Sequence, residues 1–92
     1  MTELVSVVMP VHNAEKYIDV AIQSVIAQTY TNWELIVVND GSTDGSEKII
    51  RQYASADARI LLINMESPSG TPTKPRNEGM KRAHGRYIAF LD

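Results

Sequence analysis

Apolar residues in this chain gather into four short runs, each about as long as a β-strand. The runs predict strands at Leu4–Met9, Trp33–Val38, Arg59–Asn64 and Tyr87–Leu91. The first and last runs are almost continuously apolar. This pattern indicates a strand covered on both faces, because a half-exposed strand would alternate with polar residues.

A different spacing lies between the strands, with apolar residues every three or four positions. This period is typical of an amphipathic helix. Asn13 is a suitable N-cap for the first helix, which we expect to end near Gln28. Asp44 followed by Glu47 resembles a capping box before the second helix. The apolar positions of the two helices are Ile18, Ala21, Ile22, Val25 and Ile26, then Ile49, Ile50, Tyr53 and Ala54.

The segment before the last strand has the composition of a loop followed by a short helix. Met65–Lys74 contains Gly70 and two prolines, so we expect a loop. A helix is predicted from about Pro75 to His84, with Gly85 as its C-terminal stop.

Strands that alternate with helices predict an α/β fold, Rossmann-like, with a mainly parallel sheet of about four strands. In an open sheet of this kind, ligands bind beyond the carboxyl ends of the strands. Polar groups follow three of the predicted strands at His12, Asp40 and Asp92. We therefore expect the functional groups of the chain to lie at that edge.

Composition excludes several functions without defining one. The chain has 92 residues and a net charge of −2, with no basic tract, so a nucleic-acid partner is not expected. The absence of cysteine excludes disulfides and thiolate metal sites. Acidic Glu3 and the short first apolar run argue against a signal peptide. No run is long enough to span a bilayer, so a membrane segment would have to lie outside this sequence.

Asp40 is the strongest single candidate for ligand chemistry. It follows an apolar strand and precedes Gly41, where a ligand could approach the backbone closely. The Asp40 carboxylate could accept hydrogen bonds from a base N–H or a ribose hydroxyl. The alternative is a purely local role, because Asp-Gly is a common turn pair.

Four other residues are candidates for ligand chemistry. His12 could stack on a planar base, or it could be a solvated loop histidine. Arg76 and Asn77 open the predicted third helix, whose N-terminus would favour an anion such as a diphosphate. The alternative there is a solvated arginine with a polar neighbour. Asp92 could contribute to a site for a hard cation.

Two common chemistries lack their motifs. The chain has no nucleophile elbow, so a serine–histidine hydrolase is not expected. It also lacks G-x-G-x-x-G after the first strand, which weighs against an ordinary NAD-binding domain.

Three segments in order closely resemble family 2 glycosyltransferases of the GT-A fold. Ser6–Asn13 is similar to the family's S-V-I-I-P-x-Y-N, with His12 in place of tyrosine. Glu34–Ser46 resembles E-[LI]-I-x-V-D-D-G-S-x-D-x-[ST], with Asn39 at the first acidic position. Arg76–Asp92 resembles R-N-x-G-x-x-x-A-x-G-x-[YF]-[IL]-x-[FL]-L-D. The loop before Arg76 is longer and richer in proline than is usual in the family.

This resemblance implies that residues 1–92 form the nucleotide-sugar-binding half of a GT-A domain. Asp40 would hold the base, and Asp92 would be the first acid of the D-x-D motif, next to Mg²⁺ or Mn²⁺. The implied donor-binding residues are Pro10, Val11, His12, Asp40, Gly41, Arg76, Asn77 and Asp92.

The resemblance also implies an inverting transfer of sugar from a nucleotide-sugar donor to a glycan or other hydroxyl acceptor. We expect a role in polysaccharide or surface-glycan synthesis, in the cytoplasm or at the inner face of the membrane. Because the sequence stops at Asp92, we expect the second acid and the general base to lie beyond it. The fragment alone should then be inactive and should self-associate. The alternatives are a non-catalytic nucleotide-binding module and a sugar nucleotidyltransferase, whose glycine-rich phosphate loop is missing.

Overall fold

Strands and helices alternate along the chain in the structure, as the hydrophobic pattern predicts. The structure is a computed structural model that describes residues 3–65, 68–71 and 73–91. In chain order, its elements are β1 (Val5–Val11), α1 (Ile18–Ala27), β2 (Trp33–Asp40), α2 (Ser46–Ala56), β3 (Ile60–Met65), α3 (Thr73–Arg82) and β4 (Tyr87–Phe90).

The four strands form one parallel sheet in the order β3-β2-β1-β4, which confirms the predicted fold class. Alternate residues of β1 and β2 face two layers of helix. Val7 and Leu35 belong to the core shared with α1 and α2. Val8 and Val38 face α3, where Gly79 packs against them. Because both faces are covered, these two strands are almost continuously apolar.

The observed elements differ from the predicted bounds mainly at the carboxyl end of the sheet. β1 continues to Val11 and β2 to Asp40, because parallel pairing continues as far as Val11 and Asn39. The third helix was predicted from Pro75 and begins at Thr73 instead. Pro75 then lies in its first turn, where an N–H has no acceptor within the helix and its absence costs little.

Both predicted N-caps are wrong in detail. The residue that caps α1 is Tyr17, whereas Asn13 has a left-handed φ of 49° and lies four residues further back. Asp44 does accept a hydrogen bond from Ser46 N–H at the start of α2, at 2.9 Å. However, Glu47 pairs with Arg51, at 2.8 Å, and does not complete a capping box.

Gly85 also has a different role from the predicted helix stop. The described glycines with positive φ are Gly41 and Gly70, so Gly85 does not end α3 in the left-handed conformation. A Cβ at Gly85 would lie 2.6 Å from Ser6 Oγ and 2.8 Å from the Leu4 carbonyl oxygen. Gly85 is therefore required for the close approach of the α3–β4 turn to β1.

This approach is fixed by a group of hydrogen bonds at the amino end of the sheet, which we call the amino-end clasp (Ser6, Glu34, His84 and Gly85). Gly85 N–H donates to Ser6 Oγ at 2.8 Å, and Ser6 Oγ donates to Glu34 Oε2 at 2.5 Å. His84 N–H donates to the same carboxylate oxygen at 2.6 Å. Partial burial raises the pKa of Glu34, but hydrogen bonds from His84 and Ser6 outweigh it and leave the pKa below its ordinary value.

The prediction that the last strand is buried is wrong. β4 pairs with β1 and forms an edge of the described sheet. Tyr87, Ile88 and Phe90 are 56%, 43% and 46% exposed. The apolar sequence of β4 therefore reflects a surface that the described residues leave uncovered, and such surfaces favour association.

Gly79→Ala tests the packing of α3 on the sheet. At an exposed helical site this change would stabilise a protein by about 1 kcal/mol. Here the new methyl group would overlap Val8 and lie 3.3 Å from Val38, so we expect a loss of about 1–3 kcal/mol. Urea unfolding followed by circular dichroism measures the change, with exposed Gln52→Ala on α2 as the control. A variant as stable as the wild type would contradict the packing.

Glu34→Gln tests the amino-end clasp through pH. Because the pKa of Glu34 is lowered in the folded protein, its ionised form stabilises the fold above the unfolded value of 4.5, and this stabilisation is lost as the pH falls through the folded pKa. The difference in unfolding free energy between wild type and variant should therefore shrink below about pH 4.5. Glu47→Gln, in an exposed ion pair, should show only a small difference throughout. A pH-independent difference for Glu34→Gln would argue against the clasp.

Candidate functional site

The carboxyl ends of β1 and β2 bring two of the predicted site residues together. Val11 lies opposite Asn39 in the register, so His12 and Asp40 follow side by side. His12 Nδ1 lies 2.7 Å from the Asp40 carbonyl oxygen, and because a carbonyl only accepts, Nδ1 must carry the proton. His12 Nε2 is then an acceptor, and Asn13 Nδ2 lies 3.4 Å from it. The orientation of the imidazole ring is therefore fixed from both sides.

These residues line a pocket of about 350 Å³ at this end of the sheet. Pro10 and Val11 supply apolar wall from β1, His12 supplies a ring edge or face, and Asp40 supplies a carboxylate. The remaining lining comes from Pro68, Gly70, Thr71 and Pro75. An apolar pocket with one well-placed polar group suits a flat heterocycle that carries an N–H donor.

The Asp40 side chain is nearly buried, with 6% of the residue exposed. Ser69 meets both of its carboxylate oxygens. The Ser69 N–H donates to Oδ1 at 2.9 Å, and the Ser69 hydroxyl donates to Oδ2 at 2.6 Å. No local pattern distinguishes Ser69 within its proline-rich loop, because the contact spans 29 residues and depends on the fold of both loops.

Gly41 does not have the predicted role of letting a ligand approach the backbone. It has a positive φ of 65°, and a Cβ there would lie 2.5 Å from Pro68 N and 2.6 Å from Pro68 Cδ. The space above Gly41 is therefore filled by the chain itself. Gly41 allows the segment that carries Ser69 to reach Asp40.

Arg76 and Asn77 lie in the first half of α3, directly after Pro75 of the pocket lining, and do not themselves line the pocket. The Arg76 guanidinium carbon lies 5.5 Å from the centre of the Phe90 ring, so this half-buried side chain points toward β4. Asn77 is exposed. The structure thus brings Pro10, Val11, His12 and Asp40 together around one pocket and places these two residues beside it.

The predicted metal ligand, Asp92, lies outside the described residues. Among the residues that the structure does describe, no three His, Cys, Asp or Glu side chains converge so as to hold a metal ion. Within the same described ranges, no helix is long and apolar enough to cross a membrane.

A network between the two loops at this edge supports the pocket. Asn13 Oδ1 accepts hydrogen bonds from Thr43 N–H at 2.8 Å and Asp44 N–H at 3.3 Å. Asn13 N–H donates in return to Ser42 Oγ at 2.9 Å. Asn13, interpreted from the sequence as a helix cap, instead joins the loop after β1 to the loop after β2.

A second amide contact lies deeper at the same edge. Asn39 is buried and donates from Nδ2 to Asn64 Oδ1 at 3.0 Å, which joins β2 to β3. Sequence analysis missed this pair. The signal was available in principle, since an amide interrupting each of two apolar strands at the same distance from its end indicates a mutual contact.

Comparison with known proteins identifies the family to which this sequence is similar. The profile of the family described as "Glycosyl transferase family 2" matches residues 6–92. TuaG of Bacillus subtilis (strain 168), named as a teichuronic acid biosynthesis glycosyltransferase, is 46% identical over 89 residues, which are 97% of this chain and 35% of TuaG.

Solved structures agree with this assignment. The crystal structure of S. aureus TarS residues 1–349 in complex with UDP-GlcNAc matches with a TM-score of 0.89 and 36% identity, over 96% of this chain and 26% of that one. The mannosyltransferase PcManGT of Pyrobaculum calidifontis, solved with GDP-Man and Mn²⁺, matches with a TM-score of 0.86 and 23% identity, over 96% and 26%. At this lower identity the second match shows the fold alone.

The chain corresponds to only part of each of these relatives. The chain spans about a third of the length of TuaG and about a quarter of the TarS chain. The family profile nevertheless covers nearly all of the sequence, from the first strand to its last residue. The chain belongs to glycosyl transferase family 2.

Proposed function

We propose that the protein containing this chain transfers a sugar from a nucleotide-sugar donor to an acceptor hydroxyl with inversion at the anomeric carbon. Residues 1–92 would form the part that binds the donor nucleotide. The observation that carries this proposal is the pocket at the carboxyl ends of β1 and β2, where Pro10, Val11, His12 and Asp40 converge. The solved complex of TarS with UDP-GlcNAc supports it, since that protein is 36% identical over nearly the whole chain.

In this proposal the nucleobase enters the pocket and contacts both its apolar wall and its carboxylate. The base ring lies against His12 and the apolar wall of Pro10 and Val11. A base N–H donates to the Asp40 carboxylate, which is a strong acceptor because it is charged and nearly buried. The fixed His12 ring supports this role, because a wall held in place loses little conformational freedom on binding.

The diphosphate would lie toward α3. Arg76 is in the first turns of that helix, where a cation and the positive end of the helix dipole both favour phosphate oxygens. Asn77 is exposed and available on the same helix. Both residues remain part of the proposal, since they lie beside the pocket.

The chemistry itself would be a single displacement. The acceptor oxygen forms a bond to the anomeric carbon while the bond from that carbon to the diphosphate breaks, and the acceptor proton passes to a carboxylate base. We propose that this base and most of the acceptor site lie outside residues 1–92, so that these residues alone would not turn over. When bound, Mg²⁺ or Mn²⁺ would neutralise charge on the departing diphosphate, with Asp92 as one of its ligands.

The acceptor would be a glycan or another hydroxyl compound in polysaccharide or surface-glycan synthesis. The name of TuaG, which refers to teichuronic acid biosynthesis, supports this class of product. A location in the cytoplasm or at the inner face of the membrane belongs to the same proposal, because that is where nucleotide-sugar donors would meet such an acceptor.

Asp40→Asn in the full-length protein tests the base contact. Loss of a charge-assisted hydrogen bond costs about 1.5–3 kcal/mol, so UDP should bind roughly ten-fold to more than a hundred-fold more weakly. The midpoint temperature of thermal unfolding should change less than the affinity for UDP, because asparagine also suits this turn. Calorimetric titration with UDP measures the effect. Asp19→Asn, which removes an equal charge from exposed α1, is the control, and unchanged affinity in folded Asp40→Asn would remove Asp40 from the site.

Removal of metal separates an enzyme from a binding module. With UDP-GlcNAc and Mn²⁺, the full-length protein should release UDP, and EDTA should abolish this release by removing the charge that stabilises the leaving diphosphate. Residues 1–92 alone should release none. Coupled detection of UDP measures the rate, and readdition of excess Mn²⁺ is the control. Nucleotide binding without turnover under a panel of donors would favour a non-catalytic module.

A further inference from the structure

Both carboxylate oxygens of Asp40, to which a nucleobase would donate, already accept hydrogen bonds from Ser69. Ser69 N–H lies on Oδ1 at 2.9 Å and the Ser69 hydroxyl on Oδ2 at 2.6 Å. A nearly buried carboxylate without partners is costly, so these two bonds stabilise Asp40 in the free protein. Any base that donates to Asp40 must share or displace them.

The geometry around Ser69 depends on glycine at position 41. Pro68 N and Cδ would lie 2.5 Å and 2.6 Å from a Cβ on Gly41. Any other residue at this position would push Pro68, and with it Ser69, away from Asp40. Pro68 and Gly70, which flank Ser69 in the sequence, both line the pocket, as does Thr71.

The Ser69 hydroxyl has a second acceptor to which it can turn. Its oxygen lies 2.6 Å from Asp40 Oδ2 and 2.8 Å from the Thr71 carbonyl oxygen. A hydroxyl has one proton, so it donates to one of these acceptors at a time. Rotation about the C–O bond would release Asp40 Oδ2 and leave the hydroxyl hydrogen-bonded. The Ser69 backbone N–H has no such freedom.

We propose that Ser69 competes with the nucleobase for Asp40 and thereby selects bases that present a single N–H donor, such as uracil. This inference rests on the proposed function. The Ser69 hydroxyl turns to Thr71 and yields Oδ2 to the N3–H of uracil, while Ser69 N–H stays on Oδ1. Guanine presents two adjacent donors, N1–H and N2–H, that match both carboxylate oxygens. It must therefore share or displace the backbone N–H on Oδ1 as well, and this N–H can leave Oδ1 only if the loop moves.

Ser69→Ala in the full-length protein tests this competition, with UDP and GDP titrated calorimetrically. The variant lacks the hydroxyl and keeps the backbone N–H. UDP should bind roughly two- to ten-fold more tightly than to the wild type, the equivalent of one net hydrogen bond removed from the free state. GDP should gain less, because the N–H still occupies Oδ1. The wild type should prefer UDP to GDP.

Two matched variants separate competition from a general change in structure. Ser69→Thr keeps the competing hydroxyl, so UDP should not bind it more tightly than the wild type. Ser24→Ala removes a hydroxyl that donates within exposed α1, to the Ala21 carbonyl oxygen, and should change neither nucleotide. Thermal unfolding of each variant shows that the protein is folded.

The outcomes distinguish this inference from the function on which it rests. Unchanged or weaker UDP binding in folded Ser69→Ala overturns the competition, and if Asp40→Asn still weakens binding, the proposed base contact survives. Equal gains for UDP and GDP, or a wild-type preference for GDP, overturn the selection of single donors. A wild type that binds neither nucleotide overturns the proposed function and this inference together.

Discussion

The parallel register between β1 and β2 is the constraint on which the rest of the structure depends. Val5 lies opposite Trp33 and Val11 opposite Asn39, so both strands reach the carboxyl edge of the sheet together. His12 and Asp40 leave the strands at the same level and join through one hydrogen bond of 2.7 Å. A shift of one residue would turn the buried side chains of one strand to the opposite face. Burial of valine, leucine and isoleucine therefore places the polar residues that line the pocket.

The two ends of the sheet use polar groups in opposite ways. At the amino end, the amino-end clasp forms a closed set in which Ser6 and His84 donate to the Glu34 carboxylate and Gly85 donates to Ser6. At the carboxyl end, Asp40 is held by Ser69, and the Ser69 hydroxyl has an alternative acceptor. Both carboxylates are satisfied in the free protein. The second lies beside the pocket at the carboxyl ends of β1 and β2, and its hydroxyl partner has an alternative acceptor.

Much of the fold could be predicted from the sequence because its signals are local. Apolar runs predicted the four described strands, helical spacing predicted α1 and α2, and the composition of the segment before the last strand predicted α3. The ends of the first two predicted strands placed His12 and Asp40 at one edge. What could not be predicted depends on contacts between distant segments. The edge position of β4 follows from strand order, the role of Gly85 from its approach to Ser6, and the contact of Ser69 with Asp40 from the path of a loop past Gly41. None of these leaves a periodic pattern in the chain.

Gly41 shows why the turn signal after Asp40 was ambiguous. Asp40-Gly41 has the composition of a turn, and Gly41 does adopt a left-handed φ of 65°. A turn role would require only that conformation, which asparagine can also adopt. The structure adds a steric requirement, because Pro68 fills the place of a Cβ. The same glycine thus forms the turn and admits the segment whose serine donates to Asp40.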